Sequence, residues 1–164
     1  MIHDDLHVED RMAAGVGKGF ADGISIDANV HLVLRGPDGR IKDERRVHNQ
    51  VQTAGKAHIA DQLSAVPGEA AMSHMAVGTG SGQGVGDATL LAEIDRNALT
   101  SRTDAGAVVT YVGTWVPGDA TNALTEAGIF NNAAGGTMLV YADFLVINKG
   151  ALDSLVMTWT LTIN

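Results

Sequence analysis

No cysteine occurs anywhere in the 164 residues. That absence removes thiol nucleophiles, cysteine-based zinc sites and disulfide scaffolding together, and it fits assembly in a reducing cytoplasm. Aromatic residues are nearly as scarce, at 4% with two Trp and two Tyr. A sugar-binding appendage or a glycosidase needs an aromatic platform or a carboxylate pair facing a groove, and there is little here to build either. Basic groups are short as well, 11 against 19 acidic ones, for a formal net charge of -8. Nucleic-acid binding rests on Lys and Arg neutralising phosphates, so this balance argues against a nucleic-acid partner. No apolar run approaches the ~20 residues that cross a bilayer. The opening Met1-Ile2-His3-Asp4-Asp5 is acidic where a secretory signal is basic. The expectation is a soluble chain, unexported by that route, with no membrane partner.

What is present is one domain's length of chain. The apolar fraction is 45%, weighted to Ala, Val and Leu, and 20 glycines imply many turns. Charge is uneven: residues 1–66 hold 8 basic and 10 acidic groups, residues 67–164 hold 3 and 9. The mixed first part reads as a contact surface.

Residues 1–28 show no sustained period, only scattered Ile2, Leu6, Val8, Met12, Val16, Phe20 and Ile24 among glycines. Such a segment buries little of itself. Fixing some twenty residues costs on the order of 20 kcal/mol of backbone entropy, and offsetting that by apolar burial takes on the order of 800 Å² of contact. Neighbouring subunits supply that area more readily than a small domain does, so residues 1–28 are expected to be an extended assembly arm and residues 29–164 a β-rich domain.

From Val30 two β-prone runs flank Pro37-Asp38-Gly39, predicting a hairpin whose second strand, to His48, carries Arg40, Lys42, Asp43, Glu44, Arg45 and Arg46. Residues 51–65 are the best helix, ended by Pro67-Gly68. A short strand at residues 73–77 leads into the glycine run of residues 78–86. One or two helical turns are expected over residues 89–95, with Asp87 as N-cap. Strands follow at residues 107–116, 125–131 and 137–147. The C-terminal strand sets Leu155, Met157, Trp159, Leu161 and Ile163 toward the core against Val156, Thr158, Thr160 and Thr162. The fold class is mainly β: an antiparallel β-sandwich or jelly-roll-like barrel with one helix and the N-terminal arm.

Chemistry-bearing patterns are thin. The glycine run matches no phosphate-loop spacing, and no Lys or Arg lies between Lys56 and Arg96, so it reads as a flexible surface loop. His58 and Asp61 share a helix face but are too few for a metal, and they read as helix-surface polar pairing. His3, His7, His31, His48 and His74 share no ligand spacing. Asp43-Glu44 and Asp4-Asp5 are adjacent, so on a strand their side chains diverge. Glu126, one carboxylate in an apolar strand, is expected to be buried and to accept backbone hydrogen bonds that pin a turn. No catalytic, metal-binding or cofactor-binding residues are assigned, and no enzyme activity is expected.

A resemblance sits in five places: Asn49-Gln50-Val51-Gln52-Thr53-Ala54-Gly55-Lys56, then Ala76-Val77-Gly78-Thr79-Gly80, then Leu90 and Leu91 with Glu93 and Arg96, then Leu124-Thr125-Glu126-Ala127-Gly128-Ile129-Phe130, and the alternating last strand. Together, over residues 47–163, these resemble a set of small tailed-phage virion proteins, among them head-decoration, tail-fibre and baseplate components. The resemblance implies a virion part. Short length and the arm point to a capsid cement protein on the outer surface of the major capsid protein lattice, as a trimer, assembled in the host cytoplasm. The alternative is a tail-fibre or baseplate-associated protein, and a phage hydrolase or sugar-binding appendage is a third reading. The residues expected to touch partners are Ile2, Leu6, Val8, Met12 and Phe20 in the arm, and Arg40, Lys42, Arg45 and Arg46 in the hairpin.

Overall fold

The computed structural model describes residues 23–164. The chain runs β1 (Ile26–Arg35), β2 (Ile41–His48), β3 (Gln50–Val51), α1 (Thr53–Gln62), β4 (His74–Gly78), β5 (Glu93–Ala98), β6 (Ser101–Ala105), β7 (Val108–Trp115), β8 (Asn122–Phe130), β9 (Met138–Lys149) and β10 (Ser154–Ile163). Two antiparallel five-stranded sheets face each other, ordered β2-β1-β10-β7-β6 and β3-β9-β8-β4-β5. The expected β-sandwich with one helix is what forms.

The period-two pattern of the sequence is the cause. Along β10, Leu155, Met157, Trp159 and Leu161 are buried while the residues between them are half-buried on the outer face. The opposed β1 buries Ala28, Val30, Leu32 and Leu34 in the same rhythm, in unbroken register from Ile26 opposite Ile163 to Arg35 opposite Ser154. On the far side of β10, β7 contributes Tyr111 and Trp115. Met75, Val77, Leu124, Ala127, Ile129, Val140 and Ala142 of the second sheet complete the main core. Gly113 belongs to the packing: a Cβ there would lie 2.7 Å from Met75 Sδ. A smaller cluster of Ala76, Leu90, Phe130, Met138 and Tyr141 lies under the segment that joins β4 to β5.

Several expectations are corrected. β1 begins at Ile26, so residues 26–28 belong to the sheet rather than to the arm. The helix occupies Thr53–Gln62, shorter than residues 51–65, because Gln50 and Val51 are taken as the edge strand β3 against Tyr141 and Val140. The region expected to be helical over residues 89–95 instead enters β5, and Asp87 caps no helix: its Oδ2 accepts the Gly84 N–H at 2.7 Å. β5 and β6 were not foreseen, and β8 begins three residues earlier than expected, at Asn122.

α1 seats on the second sheet through Gly55, where a Cβ would collide with the carbonyl of Leu139. Its N-terminus has no side-chain cap. The Thr53 N–H donates instead to Val85 O at 2.7 Å, which binds the helix start to the glycine run.

Candidate partner-binding surface

The five arm residues expected to meet partners, Ile2, Leu6, Val8, Met12 and Phe20, lie outside the described residues. The four hairpin residues are placed, and they divide. Arg40 is in the β1–β2 turn, fully out in solvent and 3.7 Å from Asp38. Lys42 Nζ reaches the nearly buried Asp153 at 2.6 Å. That contact and the Gly150 N–H at 2.8 Å hold the Asp153 carboxyl below the usual carboxylate range. Arg45 donates to both oxygens of Asp43, at 3.0 and 2.8 Å, and also to the carbonyls of Leu145 and Val146. Arg46 stands opposite His31 on the outer face, exposed, beside the His31–Glu44 contact of 2.7 Å. Arg40 and Arg46 are therefore turned toward anything that approaches, whereas the half-exposed Lys42 and the partly buried Arg45 are engaged by groups of their own chain.

Arg45 has a structural task. β3 covers only two residues of β9, at Tyr141 and Val140, so β9 would otherwise present open edge carbonyls, the groups through which sheets aggregate. The guanidinium fork occupies two of them. The signal was present in the sequence as Asp43 two residues before Arg45, which on a strand puts both on one face.

Beyond the hairpin, the motif residues gather in one place. Gly78 of β4 lies opposite Glu126 of β8. Glu126 is wholly buried, and its carboxyl accepts N–H groups from Gly80 at 3.0 Å, Leu91 at 3.0 Å and Ala92 at 2.7 Å. Thr125 Oγ1 donates to Gly80 O at 2.7 Å. The two ends of the connecting segment are thereby clasped by a single side chain, as the sequence led us to expect for Glu126. The tight fit requires glycine, since a Cβ at Gly80 would stand 2.7 Å from Glu126 Oε1.

The segment is also tied in its middle. Gln50 Nε2 donates to Gln83 O at 2.7 Å, Gly82 N–H to Asp143 Oδ2 at 3.3 Å, and the buried Gln52 amide nitrogen faces the carbonyls of Gly84 and Val85 at 2.9 Å. The glycine run is a surface loop as expected, but one tied to the domain at several points rather than free of it. Arg96 forms the outer wall, paired with Glu93 at 2.6 Å, stacked 3.7 Å from the Phe130 ring, and donating to Asn132 O and Gly135 O.

His58 and Asp61 do not pair with each other. The buried His58 Nδ1 is 3.0 Å from Glu69 Oε2, and Asp61 accepts the N–H groups of Gly68 and Glu69 at 2.9 Å each. Those two backbone bonds hold Asp61 below the usual carboxylate range, and the His58 contact does the same for Glu69. Both side chains reach past the helix end to fix the turn after it.

One further contact bears on chemistry. Ser73 Oγ lies 2.8 Å from His74 Nδ1, but among the described residues no carboxylate bonds His74, so the orienting member of a triad is missing. Among the described residues no group of three or more His, Asp or Glu is placed to hold a metal ion.

No family model, curated protein or solved structure matches this chain. The resemblance to phage virion proteins stands on the quoted strings alone.

Proposed function

We propose that this chain is a virion structural protein, a capsid cement or decoration protein that binds the outer surface of the major capsid protein lattice as a homotrimer and stabilises the phage head. The observation that carries this reading is the clasp. Ala76 to Gly80, Leu90 to Arg96 and Leu124 to Phe130 are distant in sequence and meet in the fold at Glu126, while Asn49 to Lys56 holds the middle of the same connecting segment through Gln50 and Thr53. Thr125 and Glu126 are consumed in holding the β4–β5 segment to the sheet, and Arg96 is consumed by Glu93 of its own strand and by the carbonyls of the β8–β9 turn. A motif spent on architecture suits a module whose work is to present surface.

The mechanism is thermodynamic. Contacts made only in the assembled shell add to its stability by mass action, and an arm that spans several subunits spreads the gain over many weak contacts. β1 supports such a load, because it is bonded along its length to β10 on one side and β2 on the other. Whatever grips residues 1–22 therefore pulls on an interior strand.

Co-sedimentation of the full chain with empty shells of the major capsid protein of the same virion tests this. Binding at hundreds of copies per shell is expected. A variant with Ile2→Asp, Leu6→Asp and Val8→Asp should lose it while keeping an unchanged thermal midpoint. No binding to shells, or stoichiometric binding to tails at tens of copies or fewer, overturns the cement reading.

A further inference from the structure

We propose that the β6 edge of the sandwich pairs with the β6 edge of a second copy of this chain, antiparallel and about a twofold axis, so that the two first sheets join into one. Among the described residues β6 is the last strand of its sheet, paired with β7 on one side. Its other side is an edge, which leaves backbone N–H and C=O groups free to take a further strand. Ser101, Arg102, Thr103, Asp104 and Ala105 are all exposed, on both faces of the strand, so the described chain leaves room for that addition. Two of the devices that commonly blunt an edge are missing, since neither a proline nor a register shift occurs between Ser101 and Ala105.

The charges name the occupant. Arg102 and Asp104 stand opposite Tyr111 and Val109 of β7 and share the inner face, whereas Thr103 stands opposite Thr110 on the outer one. A twofold antiparallel pair sets the residue at its centre against its own copy. With Thr103 at the centre, Arg102 meets Asp104 of the partner subunit and Asp104 meets Arg102 of the partner subunit, two attractive pairs and no repulsive one. Moving the centre by one residue to either side sets arginine against arginine or aspartate against aspartate, so the charges select this register over its neighbours. The edges of β2 and β5 lack this property. The middle of β2 is the unbroken charged run Lys42-Asp43-Glu44-Arg45-Arg46, and the middle of β5 is Asp95-Arg96, so either edge centred on its own copy sets like charges face to face. Arg102 also donates to Met72 O at 2.9 Å, which fixes where the guanidinium stands and leaves its other N–H groups for a carboxylate.

Five residues make a small contact, so the association is weak by itself and gains where copies are already held side by side. The inference goes beyond the cement reading and does not depend on it. A twofold pair is a different contact from the threefold one of the proposed trimer, and where both form it joins one trimer to the next.

Charge exchange in the full chain tests this. Sedimentation equilibrium of the unaltered protein should show association in steps of two, whether of the single chain or of the trimer. Arg102→Asp and Asp104→Arg should each weaken that step by about tenfold or more, because two attractive pairs become two repulsive ones. Mixing the two variants in equal amounts should restore it, since the acidic edge of one then meets the basic edge of the other, a recovery that a misfolded variant would not give. A second readout uses the absence of cysteine. Thr103→Cys sets two thiols directly opposite at cross-strand distance, so under mild oxidation it should form linked dimers about tenfold faster than Ala105→Cys. An unaltered chain that stays a monomer or an isolated trimer, a mixture that associates no better than either variant alone, or equal cross-linking at positions 103 and 105 would each overturn the pairing. None of these measurements involves a shell, so their failure leaves the cement reading standing, and loss of shell binding leaves the β6 pair standing.

Discussion

Single buried polar side chains decide much of this structure. Glu126 receives three backbone N–H groups, two of them on Oε1. Glu126→Gln keeps the shape but sets an NH2 group against donors, so at least one buried N–H loses its acceptor. A hydrogen bond to a charged group contributes roughly 1.5–3 kcal/mol, and an orphaned buried donor costs a further 1–3. We expect urea denaturation to show a loss of roughly 2–4 kcal/mol, with faster amide exchange confined first to residues 79–92. The acidic side chains that close turns make a second prediction. Asp43, Asp61, Glu69 and Asp153 are all held below their ordinary values, by Arg45, by the Gly68 and Glu69 N–H groups, by His58 and by Lys42 respectively. A carboxyl whose folded value is depressed contributes its full stability above the unfolded value and loses it as pH falls through the folded one. The thermal midpoint should therefore stay level from neutral pH to about pH 5 and drop below about pH 4. Asp153→Asn should lower the neutral midpoint and flatten the acid slope, a pair of changes that loss of packing alone would not give.

At the scale of elements, Gly55 sets two effects against each other. Gly55→Ala gains about 1 kcal/mol of helix propensity. The new methyl, however, meets the Leu139 carbonyl on a strand that cannot retreat, and overpacking of that kind costs typically 1–3 kcal/mol or more. Denaturant melts should show net destabilisation; a more stable variant would mean that α1 slides freely on β9. β1, β7 and β10 are readable in the sequence because each buries one face, so that apolar and polar residues alternate, and β2, which buries no residue, is readable only from the Pro37-Asp38-Gly39 turn before it. β5 and β6 escaped because they lack that contrast. Ser101, Arg102, Thr103, Asp104 and Ala105 are all exposed on the sheet edge, and Glu93–Ala98 is mixed throughout. Neither carries a hydrophobic period, and only pairing with β7 and β4 makes them strands. Glu126 could be read because one carboxylate in an apolar run must find donors. The roles of His58 and Asp61 could not, because their partners lie beyond the helix at Gly68 and Glu69, where no spacing rule for a helix face reaches.

For the whole molecule, the decisive pairing is between its ends. β1 and β10 match over ten residue pairs, from Ile26 with Ile163 to Arg35 with Ser154, and both are interior strands of their sheet. The first sheet therefore cannot close until the last strand is made, and loop closure across almost the full domain must precede the contacts that reward it. Trp115 and Trp159 are both fully buried and face the same core from neighbouring strands β7 and β10. They should therefore gain protection from water in one step, not two. Stopped-flow refolding followed by tryptophan emission is expected to show a single main phase in milliseconds to seconds, the range of all-β sandwiches. Far-UV circular dichroism of the strands should report the same rate. Separate phases for Trp115→Phe and Trp159→Phe variants would mean that the second sheet with β7 folds first and that β1 and β10 dock later. In that case β1 would be the weakest part of the first sheet, which would count against the proposed cement role.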